Sequence, residues 1–338
     1  MILLYGIKIF TVSTLLIGSV CFLKNFINNY EKKEEAKEVG TVDSIFIYPV
    51  KSMRGIKVPY AECTKSGLKY GELEDRSFMV VNESVGKYVT AKDFKKMLTI
   101  QPSLENGILS LHSFFNGKCV DVKLEDIHNK RNIVKAICYE GDICEGYDCG
   151  ERVSEFLKNA LGSQDNLRLV KYSSSLFNQR KANSHSYETL NIPLIKKHDV
   201  KYQDEGPYMV MTTSSLNDFN NRLDNEKMSI DVFRPSILID CDNPYDEDYW
   251  NIVKINTVNF CHSKPCTRCI ITTIDQRNGS LNKSMEPLKT LRKYRLAPGK
   301  LRKIFKESPV MGVVLGIING GIIHKQDKVK VIYKNIPC

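Results

Sequence analysis

Short runs of β-branched and aromatic residues recur through the first half of this chain. RSFMVVNE, MLTIQPSL, ILSLHSF and CVDVKL follow one another at spacings of roughly ten residues, which is the rhythm of an antiparallel sheet or barrel. The first clear soluble helix comes at GERVSEFLKNALG (150–162), where an apolar face is followed by a stop at Gly162. The pattern predicts a β-rich α+β fold.

The second half of the chain predicts further strands. YMVMTTSSLNDFNNRL predicts a strand that leads into a helix capped near Thr213 or Ser214, and RPSILID predicts a buried strand. VNFCHSKPCTRCIITTID predicts two strands, and GVVLGIINGGIIHKQDKVKVIYK predicts a strand, a Gly-Gly turn and a strand. The polar segment 173–199 has no strong periodicity, so we expect it to connect two halves, 41–172 and 173–338.

The first residues, MILLYGIKIFTVSTLLIGSVCFLKNFINNY, differ in kind from the rest of the chain. From Ile2 to Leu23 the one charged residue is Lys8, and the stretch is long enough to cross a bilayer. No A-x-A cleavage site follows, and lysines lie just after the apolar run. We therefore predict an uncleaved transmembrane helix with the body facing the cytosol. A charged helical tether stopped at Gly40 would follow, so that residues 1–40 form anchor and tether.

Composition and charge exclude several classes of protein. The 42% hydrophobic and 26% charged residues are those of a globular chain rather than a disordered one. The net charge is +10, yet the basic residues are scattered and form no block interleaved with aromatic residues, so we predict no nucleic-acid binding. The eleven cysteines are spread along a long chain, and a body facing the cytosol would keep them reduced.

The stretch KPCTRCIITTID places Cys266 and Cys269 three residues apart. A redox dithiol works best with its first thiol at a helix N-terminus, whereas the β-branched residues after Cys269 favour a strand. A structural zinc site needs four ligands, and the nearby Cys261 and His262 would point to opposite faces of an alternating strand. A third interpretation is that one thiolate, Cys269, holds a soft metal carried by an organic cofactor.

A cofactor of that kind would bring an anionic group and would need basic residues to bind it. Lys51 and Ser52 lie in a proline-containing turn, Arg76 follows LED, and Arg234 is the first residue of RPSILI. Each of these side chains could instead form a surface salt bridge, but an arginine that enters a buried strand needs a partner. The residues alone leave all three interpretations of the cysteine pair open.

Five motifs, taken in order, resemble a single family. IYPVKSMRGI, GLKYGELEDRSFMVV, FRPSILI, PCTRCIITTID and EPLKTLRKYR resemble the MOSC superfamily, specifically the mitochondrial amidoxime-reducing components. The resemblance runs from Val42 to the C-terminus and extends to the apolar segment before it. It implies a MOSC β-barrel domain, an N-terminal MOSC-associated β subdomain and an N-terminal membrane-anchor helix in the mitochondrial outer membrane.

The resemblance also implies a molybdenum enzyme that carries one molybdopterin cofactor. By the motif match, Cys269 ligates molybdenum, Cys266 is not a ligand, and Asp204 is an acidic residue beside the metal that could supply protons. Glu205 and Gly206 depart from the family pattern, which usually has small hydroxyl residues there. Arginine forks, a lysine and hydroxyl donors suit a phosphate and a pterin edge. The matching cofactor-binding positions are Lys51, Ser52, Arg76, Arg234, Thr267 and Arg268.

The activity implied by the resemblance is reduction of N-hydroxylated compounds, such as amidoximes and hydroxylamines, to amidines or amines. The sequence has no haem, flavin or nicotinamide motif, so electrons would come from the family's partners, cytochrome b5 and NADH-cytochrome b5 reductase. An acidic haem protein would be attracted by the net charge of +10. The alternative is a protein that carries molybdenum cofactor without turnover.

Overall fold

A computed structural model describes residues 35–178, 180–182, 198–224 and 227–334 of the chain. From Glu38 onward these residues form one compact unit. The predicted anchor helix, from Ile2 to Leu23, lies outside the described residues. Among the residues that are described, no helix has both the length and the apolar character needed to span a bilayer.

Strands make up most of the regular structure. Those of the first half are β1 (Lys37–Ile47), β2 (Ile56–Val58), β3 (Tyr60–Thr64), β4 (Gly67–Tyr70), β5 (Leu73–Glu74), β6 (Phe78–Asn82), β7 (Lys87–Val89), β8 (Ile100–Glu105), β9 (Ile108–Ser113), β10 (Cys119–Lys123), β11 (Ile133–Ile137), β12 (Ile143–Asp148) and β13 (Leu167–Lys171). Those of the second half are β14 (Lys181–Ala182), β15 (His198–Asp199), β16 (Tyr208–Thr212), β17 (Ile237–Cys241), β18 (Trp250–Ile255), β19 (Val258–Thr267), β20 (Val310–Asn319), β21 (Gly321–His324) and β22 (Lys328–Tyr333). The α-helices are α1 (Leu124–Lys130), α2 (Glu151–Leu161), α3 (Thr213–Asn221), α4 (Leu288–Tyr294) and α5 (Gly299–Phe305).

The strands close into two barrels, which confirms the predicted β-rich architecture. The first has the order β17-β16-β20-β19-β18-β22-β1, and β1 also pairs with β17, so that the ring closes. β1 therefore completes a barrel whose other strands come from the second half of the chain. The second barrel consists of β11, β12, β13, β6 and β7. Closure removes the unpaired sheet edges that would otherwise template aggregation.

Helix α2 agrees with its sequence prediction and covers part of the first-half core. Val153, Phe156, Leu157 and Leu161 are buried, since residues three and four apart lie on one face of a helix. The helix ends at Gly162, whose φ of 70° is left-handed, a backbone conformation that glycine adopts without steric cost.

The prediction of a strand directly after Cys269 is wrong. Ile270–Thr273 form a one-turn 3-10 helix instead. The Thr272 hydroxyl donates to the carbonyl of Cys269 and the Thr273 hydroxyl to that of Ile270, both at 2.8 Å. These local side-chain bonds offer the backbone an alternative to strand pairing, and they outweigh the β preference of the residues themselves.

The expectation about Gly40 is also wrong. Gly40 does not stop a helical tether, because it lies inside β1, which begins at Lys37. The strands predicted on either side of the Gly-Gly pair are present as β20 and β21, but β21 pairs with β3 rather than with β20. A Cβ atom on Gly320 would lie 2.5 Å from the carbonyl oxygen of Cys63. The glycine thus permits the close approach of β3 that redirects the chain.

A buried glutamate lies beneath the strand-to-helix junction at β16 and α3. The junction was predicted, and its cap is Thr212, whose hydroxyl accepts from the backbone N–H of Ser215. The hydroxyls of Thr212 and Ser215 donate to Oε2 of Glu247 at 3.0 and 2.9 Å. Glu247 is 0% exposed, and its Oε1 has no hydrogen-bond partner among the described residues. Burial raises the pKa of Glu247 to about 7.

Glu247 should make the protein less stable as the pH rises from about 4.5 to about 7. In this window the folded state retains a proton that the unfolded state releases, so the free energy of unfolding falls with increasing pH. The total effect is on the order of 3 kcal/mol. Denaturant unfolding measured across this pH range should show that the free energy of unfolding of Glu247→Gln depends less steeply on pH than that of the native chain. An unchanged slope would place the proton elsewhere, for example on Asp248, whose pKa burial also raises.

Candidate functional site

All eight residues predicted to form the site line one cavity of about 390 Å³. Five segments meet there: the turn after β1, the turn between β5 and β6, the segment that leads into β16, the segment that leads into β17, and the end of β19 with the chain that follows it. The fold thus gathers residues more than two hundred positions apart. The eight residues are Lys51, Ser52, Arg76, Asp204, Arg234, Thr267, Arg268 and Cys269.

Lys51 and Asp204 form an ion pair in the cavity wall. The Lys51 ammonium lies 2.6 Å from Oδ1 of Asp204 and donates to the carbonyl of Tyr202 at 2.7 Å. Burial lowers the pKa of Lys51, and Asp204 partly offsets this. Desolvation by its neighbours would by itself raise the pKa of Asp204, whose side chain is 43% exposed, but Lys51 and Arg180 hold the pKa below its ordinary value. Asp204 is therefore ionised at neutral pH and is better suited to accept a proton than to donate one.

Arg76 is held by the residue that precedes it. Its Nη1 lies 2.5 and 2.6 Å from the two carboxylate oxygens of Asp75, which is 0% exposed. The Asp75 carboxylate also accepts from the backbone N–H of Tyr48 at 2.9 Å. The Arg76 guanidinium carbon lies 4.3 Å from the centroid of the Tyr48 ring, a cation–π distance. Arg76 is thus already engaged within the protein.

Arg234 differs because one of its donors is unused. Its guanidinium carbon also lies 4.3 Å from the Tyr48 ring centroid. Its Nη1 is buried and has no hydrogen-bond partner among the described residues. Burial lowers the pKa of Arg234 to about 10, so the side chain stays charged at neutral pH. A buried, charged and unsatisfied donor is costly, and a bound anion would remove that cost.

Arg268 bonds to backbone carbonyls on two other segments. Its Nε donates to the carbonyl of Met311 at 2.9 Å, and its Nη2 also reaches that oxygen. Its Nη1 donates to the carbonyl of Phe233 at 2.8 Å. Phe233 directly precedes Arg234, which has a left-handed φ of 56°. Arg268 therefore ties the Arg234 backbone to β20 and to the segment that carries Cys269.

The two neighbouring cysteines occupy different environments. Cys269 is partly exposed and precedes the 3-10 turn as its N-cap residue. Burial raises the pKa of the Cys266 thiol, which makes it a poorer thiolate at neutral pH. Thr267, between them, pairs with Val310 at the end of β19. Both cysteines are half-buried and line the cavity, and the raised pKa of Cys266 disfavours it as a thiolate ligand.

The nearby Cys261 and His262 point to opposite faces of β19, as predicted. The Cys261 sulfur lies 3.7 Å from Nε2 of His198, whereas Nε2 of His262 lies 3.0 Å from the Lys334 ammonium. Within residues 35–178, 180–182, 198–224 and 227–334, no cluster of three or more histidine, cysteine or acidic side chains could hold a metal.

The sequence interpretation missed the partner of Glu205. Oε2 of Glu205 lies 2.7 Å from the Lys264 ammonium, and the Lys264 side chain is 1% exposed. Lys264 therefore neutralises a carboxylate that would otherwise repel an anion. A Cβ atom on Gly206 would lie 2.3 Å from Cγ1 of Val314, so the adjacent strand leaves no space for a hydroxyl residue there. Lys264 lies in KPCTRC, but nothing in the sequence around it predicts that it pairs with Glu205.

Tyr48 and Asp75 are the other site residues that sequence reasoning missed. Tyr48 is 2% exposed and contacts both Arg76 and Arg234, while Asp75 holds Arg76. Both lie next to residues that were predicted, in IYPVK and LEDRSF. Their adjacency to predicted residues was the available signal. Together the residues leave the cavity with a partly exposed thiol at Cys269 and an unsatisfied cation at Arg234, an arrangement able to hold a soft metal and an anion.

Comparison with known proteins identifies two matching domains. Residues 39–164 match the MOSC N-terminal beta barrel domain, and residues 197–330 match the MOSC domain. The chain is 34% identical over 305 residues to mitochondrial amidoxime-reducing component 1 of Danio rerio, covering 89% of this chain and 88% of that protein. It is 34% identical over 293 residues to component 1 of Homo sapiens, covering 87% and 83%. It is 29% identical over 324 residues to component 2 of Macaca fascicularis, covering 96% and 92%.

Proposed function

This chain belongs to the MOSC family of amidoxime-reducing components, and on that premise we propose that it is a molybdenum-cofactor oxidoreductase. Its substrates are N-hydroxylated compounds, amidoximes and hydroxylamines, and its products are amidines or amines. The names of its relatives support the reaction class. The observation that carries the proposal is the convergence of all eight predicted residues on one cavity.

The residues present fit a pterin cofactor that carries a phosphate. The cavity of about 390 Å³ is within the range of small-molecule sites, roughly 300–1,000 Å³. The unsatisfied Nη1 of Arg234 supplies a charge-assisted donor for an anion. Lys264 removes the repulsion that Glu205 would exert. The cavity therefore accommodates the departure at Glu205 and Gly206 without losing its anion-binding character.

Each residue has a role that follows from its contacts. Cys269 is the metal ligand, because it holds the matching position of the family motif, lines the cavity and offers a thiolate that suits a soft metal. Arg234 is the principal anion donor, Ser52 and Thr267 are hydroxyl donors in the cavity wall, and Arg268 keeps Arg234 and Cys269 in register.

The bound molybdenum cofactor supplies the two-electron chemistry that reduction of an N–O bond requires. Asp204, kept ionised by Lys51, receives and returns a proton near the cavity.

The electrons come from a partner, for which we propose cytochrome b5 and NADH-cytochrome b5 reductase. We further propose that the protein is held at the mitochondrial outer membrane by its N-terminal segment, with the body in the cytosol. The names of the relatives support the mitochondrial location, and the apolar stretch from Ile2 to Leu23 supports the anchor. Domain boundaries at 41–172 and 173–338 are part of the same proposal.

The purified full-length chain should contain about one molybdenum and one pterin per protein, in line with a single cavity of this chemistry. Metal analysis and fluorescence of the oxidised pterin measure both. NADH should support reduction of benzamidoxime only when both partner proteins are added. If the cofactor-loaded protein shows no turnover, either with the two partner proteins or with a chemical reductant, it is a carrier. Recovery of zinc without pterin would refute both functions.

A further inference from the structure

Two adjacent phenylalanines are exposed at the tip of a hairpin. Phe114 and Phe115, in the turn between β9 and β10, are 52% and 47% exposed. The Lys96 ammonium lies 3.8 Å from the Phe115 ring centroid, and the Arg54 guanidinium carbon lies 5.1 Å from that of Phe114. We call these four residues the aromatic-basic surface. Exposed aromatic groups of this kind mark interaction sites more often than scattered single residues do.

Two chain segments link the aromatic-basic surface to the cavity wall. The backbone N–H of Arg54 donates to the carbonyl of Ile100, and that of Phe114 donates to the carbonyl of Thr99, so the two residues are bound to neighbouring positions. Arg54 follows Ser52 by two residues, and Ser52 lines the cavity. Lys92, which also lines the cavity, precedes Lys96 by four residues. A protein bound here would contact segments that also contribute residues to the cavity wall.

Both cations of this surface are available to a partner. Among the described residues, no carboxylate forms an ion pair with Arg54 or Lys96, although Arg54 donates to the carbonyl of Gln276 at 3.2 Å. Lys92 and Lys95 add positive charge to the same turn. The one acidic side chain in that turn, Asp93, accepts from the backbone N–H of Thr90 at 2.8 Å. The surface is therefore apolar at its centre and positive on the side of Lys96, whereas Arg54 also lines a second cavity together with Asp231 and Asp275.

We propose that the aromatic-basic surface is the docking site of an acidic protein, the electron donor that the proposed function requires. Acidic groups of the partner pair with Lys96 and Arg54, while its apolar atoms cover the exposed edges of Phe114 and Phe115. An apolar centre with a charged rim is the usual anatomy of a transient interface. A second copy of this chain is a poor occupant, because like charges would meet across a two-fold contact. A bilayer is also a poor occupant, because cations lie over the ring faces that would have to enter it.

The test measures binding of the cytochrome b5 haem domain to the full-length chain by calorimetry at low salt. Lys96→Glu should weaken binding about tenfold or more, and Phe114→Ser with Phe115→Ser by a similar factor. The matched controls lie at the other end of the same hairpin. They are Lys123→Glu on β10 and Ile108→Ser on β9, both exposed, and both should bind normally. With cofactor present, the KM for the haem protein should rise, while turnover with a small chemical reductant stays unchanged.

The outcomes separate this proposal from the proposed function on which it rests. If the native chain shows no turnover with the small reductant, the proposed reductase function is refuted. The binding measurement would still test the docking site. Equal affinity of the native chain and all surface variants would refute the docking site. If the surface variants lose binding to phosphatidylserine vesicles but still bind the haem protein, the docking site is refuted in favour of a lipid contact.

Discussion

Cys269→Ser should remove molybdenum from the protein and lower amidoxime reduction by a factor on the order of a hundred or more. A hydroxyl is a much weaker ligand than a thiolate for a soft metal. Loss of even an outer-shell partner costs roughly 10–100-fold, so loss of the ligand itself should cost at least as much. Molybdenum content, pterin content and turnover should be measured on the same preparation.

Cys266→Ser is the matched control for Cys269→Ser. Cys266 lies three residues away and lines the same cavity, but its pKa is raised by burial, so its sulfur is mainly a neutral thiol. We expect this variant to keep most of its molybdenum and activity. If the two variants lose activity equally, the pair acts as a dithiol, and assignment of the metal to a single thiolate is wrong.

Replacing Arg234 and Arg76 by glutamine should separate cofactor binding from folding. Arg234→Gln should lower pterin content about tenfold, the effect of one charge-assisted bond, while changing the free energy of unfolding by less than about 1 kcal/mol. Its Nη1 has no hydrogen-bond partner to lose within the part of the chain that the structure describes. Arg76→Gln should lower stability by roughly 3–5 kcal/mol, because it leaves the buried Asp75 carboxylate unpaired. Denaturant unfolding and pterin fluorescence measure the two effects.

Arg234→Lys tests whether charge alone suffices at this position. Lysine retains the charge but lacks the planar fork, so we expect intermediate pterin content. A large loss of stability in Arg234→Gln with normal pterin content would show that Arg234 has only a structural role. Equal stability of Arg76→Gln and the native chain would mean that Asp75 finds another partner.

The sequence predicted which residues meet but not which donors remain free. Motif order was enough to name all eight residues that line the cavity. Arg76 is held by Asp75, and Arg268 is held by the carbonyls of Met311 and Phe233. Only these contacts reveal that Arg234 is the arginine of the three with a donor left for an anion. Backbone carbonyls carry no residue-specific pattern, and those two lie 43 and 35 positions from Arg268. No local pattern could have revealed them.

The barrel was predictable from strand rhythm, whereas strand partners were not. Alternating apolar runs specify that a segment is a strand, but pairing between distant segments is decided by the packed whole. β1 reads as an ordinary strand, yet it closes a barrel built from the other half of the chain. The 3-10 turn after Cys269 was missed for a local reason, since the bonds of Thr272 and Thr273 to nearby carbonyls override the β preference of their side chains.

Closure of the first barrel by β1 also determines when this protein can become functional during its synthesis. The chain leaves the ribosome N-terminus first, but β1 must wait for β17, and for β22 at Lys328–Tyr333, before the ring is complete. Cys269 and Val314 of the cavity wall likewise emerge long after Lys51. The barrel and the cavity can therefore form only after the residues up to Tyr333 have been synthesised. Loss of the last few dozen residues should leave the earlier half without the strand neighbours it requires.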